Sequence, residues 1–245
     1  NALFKLDRED QYFLFYNSLN DVSGNISKWE QENVHYIITR WPSKMFNASL
    51  LTARRPYLDQ VVASRIAIQP YNHLDYFFSP NLNFTSISGD TKFILTIHDL
   101  SFKFFKDCYS WKQRVWHKLV RPERQCKRAD IILTPSDNTR RDVVKHFGVE
   151  EGKVRCLYPG TFSEQLSTRA HLVSSSMSRQ AESRTASSDQ ITDSIKQITE
   201  KYQLPERFIL FLGTIEPRKN IVGIIKGYEL SSLFADHCSL IIAGA

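Results

Sequence analysis

Short apolar runs alternate along the chain with longer amphipathic stretches. The runs are Tyr12–Tyr16, Val34–Thr39, Asp75–Ser79, Phe93–Ile97, Ile131–Thr134, Val154–Tyr158, Phe208–Leu212 and Leu240–Ala243. Most are continuous rather than alternating, which is the pattern of strands buried on both faces of a parallel sheet. Helix-period segments lie between them, near Leu50–Ser64, Trp111–Arg128, Asn138–Phe147, Ile191–Tyr202 and Ile221–Leu233. Strand and helix in alternation predict a doubly wound α/β fold with Rossmann-like parallel sheets. Ser136 or Asp137 can cap the helix after Ile131–Thr134, and Gly148 can end it in a left-handed turn. Pro122 should kink or split Trp111–Arg128.

Thr161–Gln190 departs from this pattern. It holds nine serines and few large apolar groups, too little to offset the entropy of ordering it. The expected organisation is an N-terminal domain over 1–160, a Ser-rich linker or insertion over 161–190, and the start of a second domain over 191–245. Asn1 as first residue, and an end at Ala243-Gly244-Ala245 directly after an apolar run, read as a fragment cut at one or both ends.

Composition narrows the class. Of 245 residues, 42% are hydrophobic and 24% charged, which is enough to build a core and excludes a wholly disordered chain. No window reaches the ~18 apolar residues of a membrane span. Asn1–Asp10 has neither a basic leader nor an apolar core, so no signal peptide is expected. The four cysteines are scattered, and no His spacing resembles a metal site, so reduced structural thiols and no metal are expected. The sequons at Asn25, Asn47 and Asn83 read as chance. The net charge of +6 is carried by Trp111–Arg155, with twelve Lys/Arg against six Asp/Glu. Such a block suits phosphates, nucleic acid or an anionic membrane, or it is a solvated helical face. Within it, Trp111, Val115, Trp116, Leu119 and Val120 recur at helical spacing beside Lys112, Arg114 and Lys118. That face either packs on the sheet or lies on a bilayer.

Three strand ends carry candidate chemistry. His98 and Asp99 leave Phe93–Ile97 at its carboxyl end, where open parallel sheets bind ligands; a satisfied strand-end His and a capping Asp remain the alternative. Phe211–Asn220 runs from a strand through Gly213 and Thr214 into Pro217-Arg218-Lys219-Asn220 and a helix. Two cations before a helix N-terminus suit a diphosphate. Ser136, at the third strand end, lines the same kind of cleft or simply caps. Walker A, dinucleotide G-x-G-x-x-G and G-x-S-x-G signatures are absent.

The ordered set ILTIHDL (Ile94–Leu100), ADIILTPSDNTRR (Ala129–Arg141), VRCLYPG (Val154–Gly160), ILFLGTIEPRKN (Ile209–Asn220) and LIIAGA (Leu240–Ala245) resembles the retaining group 1 glycosyltransferases, family 4. The likeness covers Leu74–Gly160 and Tyr202–Ala245. It implies a GT-B fold, with an acceptor-side N-terminal domain facing a nucleotide-sugar domain. It also implies metal-independent transfer of a hexosyl group from a nucleotide-diphosphate sugar, with retention, in polysaccharide biosynthesis. By the resemblance, His98, Arg218 and Lys219 are catalytic, and Asp99, Ser136, Gly213 and Thr214 contact substrates. No cofactor is implied. The partners are the donor and a glycan or lipid-linked acceptor, without nucleic acid. The expected location is cytoplasmic, with peripheral contact at the inner membrane face as an added reading. Thr214 stands where the family usually has Arg, so Arg218 is expected to supply that cation. The family's E-x7-E element would follow LIIAGA, and a Gly-rich loop would precede Asn1, so this chain is expected to be inactive alone. The rival readings are a non-catalytic remnant and, further off, a basic nucleic-acid-binding protein.

Overall fold

The computed structural model describes residues 2–26, 28–29, 31–66, 73–160, 196–231 and 238–244. The chain divides into two compact units, Asn1–Pro159 and Gly160–Ala245.

The first unit opens with α1 (Ala2–Leu6) and a parallel pair, β1 (Tyr12–Asn17) and β2 (Val34–Thr39), aligned Tyr12 to Val34 through Asn17 to Thr39. Two helices follow, α2 (Ser43–Thr52) and α3 (Leu58–Ala63). The sequence pattern runs these together as Leu50–Ser64. The structure splits them at Arg54-Arg55-Pro56, because a residue before proline disfavours helical geometry and proline cannot donate to the ladder.

A four-stranded, all-parallel sheet comes next in the order β3 (Tyr76–Ser79), β4 (Lys92–Thr96), β5 (Ile131–Thr134), β6 (Val154–Cys156). Three helices, α4 (Ser101–Phe104), α5 (Trp111–Val120) and α6 (Pro122–Arg128), connect β4 to β5, and α7 (Asp137–Phe147) connects β5 to β6. The expected break at Pro122 is sharp. Arg121 takes a left-handed φ of 53° and Pro122 starts a new helix. One expectation fails: β3 and β4 are joined by residues 80–91 with no crossover helix. Phe93 and Leu95 of β4, Ile97, Ile132 of β5, Cys126 of α6, Val143 of α7 and Val154 of β6 are almost fully buried together. Each contributes on the order of 2 kcal/mol of burial. A second cluster of Phe46, Leu50 and Leu58 takes Phe15 of β1 and Phe77 of β3 against it.

In the second unit, a helix over 196–202 precedes β7 (Phe208–Leu212), which pairs in parallel with β8 (Ser239–Ala243) across the helix Ile221–Glu229. This is the anticipated βαβ, with the helix ending four residues earlier than its periodicity suggests. Continuous apolar runs do not always mean burial on both faces. β1 is half-exposed along its length, and most of β7 is exposed. Each pairs along one edge only among the described residues. Thr161–Gln190 lies outside the described residues.

Candidate active site

At the carboxyl ends of β4 and β5, the first unit gathers His98, Asp99 and Ser136. Their placement follows from the strands: Ile97 N–H still bonds Leu133 O at 2.9 Å, so the chains separate just beyond it. His98 is exposed. Its Nε2 lies 3.0 Å from Pro80 O. A carbonyl only accepts, so Nε2 carries the proton when the ring is neutral, and Nδ1 is left as an acceptor. The backbone carbonyl of His98 accepts from Thr139 Oγ1 at 3.3 Å, which ties this turn to the first turn of α7. Ser136 is the N-cap of α7. Its Oγ accepts from Thr139 N at 3.1 Å and lies 3.0 Å from Thr139 Oγ1. The capping role is thus present, and it brings an eleven-residue helix N-terminus close to His98.

Asp99 orients its own loop. Its Oδ1 accepts from Ser101 N at 2.8 Å and from Ser101 Oγ, which also meets Tyr109 Oη. Behind it, His117 is stacked on Phe102 at 4.5 Å between ring centres, and its buried Nδ1 has no partner. Burial pushes the His117 imidazole below its ordinary value, with Asp99 partly offsetting the shift. Pro80, Tyr109 and His117 were not marked by sequence, since no local pattern announces a carbonyl donated from a distant loop.

The second unit carries the turn after β7. Gly213 N–H bonds Ala243 O at 2.9 Å, and a Cβ on Gly244 would sit 1.9 Å from Gly213 O. Gly244 therefore lets the ends of β7 and β8 approach backbone to backbone. Thr214 is exposed on this turn. Pro217–Lys219 forms a single 3-10 turn, and Asn220, left-handed at φ 50°, caps the Ile221–Glu229 helix by accepting from Gly223 N at 3.3 Å. Arg218 and Lys219 are thereby held just before a nine-residue helix. Glu216 Oε1 accepts from Arg218 Nη2 at 2.7 Å, which braces the guanidinium. Lys219 is exposed. Two cations thus follow the β7 turn and directly precede a helix N-terminus.

The basic helix α5 is built from a capping box of Ser110 and Gln113. Val120 is buried, and Trp116 meets Phe84 edge-on at 6.2 Å. The rest of its apolar stripe does not pack on the sheet: Trp111 is 65% exposed, Val115 45% and Leu119 38%. Among the described residues, no group of three or more His, Cys, Asp or Glu could hold a metal ion, and no helix is long and apolar enough to cross a membrane.

Residues 14–164 match the model of the family described as Glycosyltransferase Family 4. The O-antigen chain mannosyltransferase B of Escherichia coli is 29% identical over 141 residues, 56% of this chain and 30% of that protein. The serotype-specific mannosyltransferase WbdA of Escherichia coli is 28% identical over 143 residues, 57% of this chain and 15% of that protein. This chain thus spans 30% or less of these relatives' own length. Among solved structures, the wall teichoic acid polymerase TagF aligns at a TM-score of 0.42 and 12% identity, over 100% of this chain and 51% of that one.

Proposed function

This chain belongs to glycosyltransferase family 4, and from that premise we propose that it moves a hexosyl group from a nucleotide-diphosphate sugar to a glycan or lipid-linked acceptor, with retention and without a metal ion. The mannosyltransferase relatives favour mannose as the sugar. In this reading the whole enzyme has the GT-B arrangement, the first unit serving the acceptor and the second the donor.

The observation that carries the reading is the β7 turn, where Gly213 opens the backbone and Arg218 and Lys219 precede a helix N-terminus. As the glycosidic bond to the donor breaks, negative charge grows on the departing diphosphate. Fixed cations and amide dipoles aimed at that charge stabilise the transition state more than the ground state. Glu216 holds Arg218 in place and leaves Lys219 to meet the phosphate. Thr214 contributes a hydroxyl where a cation would otherwise stand. On the first unit, His98 Nδ1 accepts from a sugar or acceptor hydroxyl, while Asp99 and Ser136 keep the loop and the α7 terminus in position. The exposed Trp111–Val115–Leu119 stripe, beside Lys112, Arg114 and Lys118, supports a peripheral contact with an anionic membrane that would present a lipid-linked acceptor.

The test is transfer from GDP-mannose, with UDP-glucose in parallel, by the enzyme expressed from its complete reading frame, using a polyprenyl-linked glycan as acceptor. Retained anomeric configuration and loss of transfer in Lys219→Ala are expected. Wild-type transfer by the Arg218→Ala/Lys219→Ala enzyme rejects the diphosphate role.

A further inference from the structure

A second polar concentration lies at the other ends of the same strands. His98 and Ser136 leave β4 and β5 at their carboxyl ends, whereas Phe93 is the second residue of β4 and Arg128 precedes β5. There, a cavity of about 290 Å³ opens between the end of α2, the 84–87 stretch of the β3–β4 loop and the α5–α6 junction. Leu50, Phe93 and Val120 give it an apolar floor. Arg54, Arg121, Arg124 and Arg128 line it, and no Asp or Glu does among the described residues. Arg128 is engaged by Asp130 at 3.2 Å and by the carbonyls of Ser88 and Thr91. The guanidinium groups of Arg54, Arg121 and Arg124 have no hydrogen-bonded or ionic partner among the described residues.

Two further observations set this cavity apart from an ordinary basic surface. Gln125, which lines it, is 8% exposed. Its Nε2 donates to Asn83 O at 2.7 Å and Val120 O at 2.8 Å, which fixes the orientation of the amide. That leaves Oε1 buried without a donor, a state that folded proteins avoid unless something else supplies the hydrogen. In addition, Arg54 and Arg121 both adopt a left-handed φ of 53°. Glycine fits such positions without strain, so arginine there is held against the backbone preference.

We infer that this cavity binds a small phosphorylated, hydroxyl-bearing molecule, with the phosphate on Arg54, Arg121 and Arg124 and a hydroxyl donating to Gln125 Oε1. Three guanidinium groups around one space match the charge and the several acceptor oxygens of a phosphate better than a single carboxylate. The volume sits at the small end of the ~300–1,000 Å³ range of ligand cavities, too small for a nucleotide sugar. The same chemistry is offered by a soluble polyol phosphate and by a phosphoglycerol lipid headgroup; Leu119, the last residue of the exposed α5 stripe, lines the cavity. The site does not depend on the transfer reaction.

Calorimetric titration with glycerol 3-phosphate, propyl phosphate and inorganic phosphate reads the soluble source. Co-sedimentation with phosphatidylcholine vesicles, with and without phosphatidylglycerol, reads the lipid source. Glycerol 3-phosphate should bind about 5-fold tighter than propyl phosphate, which lacks the hydroxyls, the scale of one hydrogen bond. Arg121→Gly should weaken binding at least 10-fold while melting no lower than wild type, since glycine relieves the left-handed backbone. Arg124→Gln, on an exposed side chain, should weaken it likewise. Binding to phosphatidylglycerol vesicles alone, lost in both variants, assigns the site to lipid. GDP binding should be unchanged in either variant, which separates this site from the donor turn. No binding in either arm, or binding that survives both substitutions, overturns the assignment.

Discussion

Asp59 should be the polar residue on which the first unit depends most. It lies in the first turn of α3 and is 3% exposed. Its Oδ1 accepts from Ser88 N at 3.0 Å, and its Oδ2 accepts from Ser88 Oγ and from Thr91 Oγ1 at 3.0 Å. These bonds pin the helix-free β3–β4 loop, which carries Pro80 toward His98 and Phe84–Ile87 toward the arginine cavity. In Asp59→Ala, the Ser88 amide is left buried without an acceptor, at about 1–3 kcal/mol, and the Ser88 hydroxyl loses about 1 kcal/mol more. Thr91 escapes that penalty, because its hydroxyl also reaches Leu74 O at 3.1 Å. The sum is about 3 kcal/mol, or a fall in melting temperature of about 6–12 °C for a domain of this size. Asp59→Asn should lose under about 1 kcal/mol. Its oxygen still takes the Ser88 amide, and its NH2 donates to Ser88 Oγ and to Thr91 Oγ1 once the Thr91 hydrogen turns to Leu74 O. Thermal melting by circular dichroism and urea titration read both variants. An Ala variant within about 1 kcal/mol of wild type, or an Asn variant as damaged as Ala, refutes the reasoning.

Lys219→Ala should lower turnover about 10²-fold or more and leave the melting temperature unchanged, because the side chain is exposed; steady-state kinetics beside a melt would show it. His117 is held below the ordinary imidazole value of about 6.5 by burial, so the unfolded chain takes up the proton more readily than the folded one. Its contribution is therefore intact above about pH 6.5 and is lost as pH falls below that value toward the lowered folded one. His117→Phe should flatten that part of the stability–pH curve, and an unchanged slope would refute the assignment. Burial pushes the Cys126 thiol up to about 12, so a thiol reagent should modify the half-exposed Cys108 and Cys156 first and reach Cys126 only on unfolding. Lys112/Arg114/Lys118→Glu should abolish sedimentation with anionic liposomes at low salt, each original cation contributing about 1 kcal/mol near the surface; wild-type indifference to such vesicles removes the membrane contact.

Legible in the residues alone are the strand–helix alternation, the Ser136 cap, the left-handed Gly148, the break at Pro122 and the placing of His98, Ser136 and Arg218-Lys219 at strand ends. All of these are local. Each rests on side-chain period, a cap within four residues, or the fixed geometry of proline and glycine. Whatever depends on a neighbour distant in sequence is settled by packing. Tyr12–Tyr16 and Phe208–Leu212 look like interior strands, yet they are half to largely exposed, because burial is set by what packs against a strand and not by its own composition. The Trp stripe of α5 splits in the same way, with Trp116 and Val120 taken inward by Phe84 and the sheet while Trp111, Val115 and Leu119 stay in solvent. Asp59, 29 residues from Ser88, carries no mark of its role within an apolar helix. The arginine cavity assembles Arg54, Arg121, Arg124 and the orphaned oxygen of Gln125 from segments that only the parallel sheet brings together. Hydrogen-bond satisfaction is a property of the folded surroundings, so no reading of residues 54 or 125 in isolation could have found it.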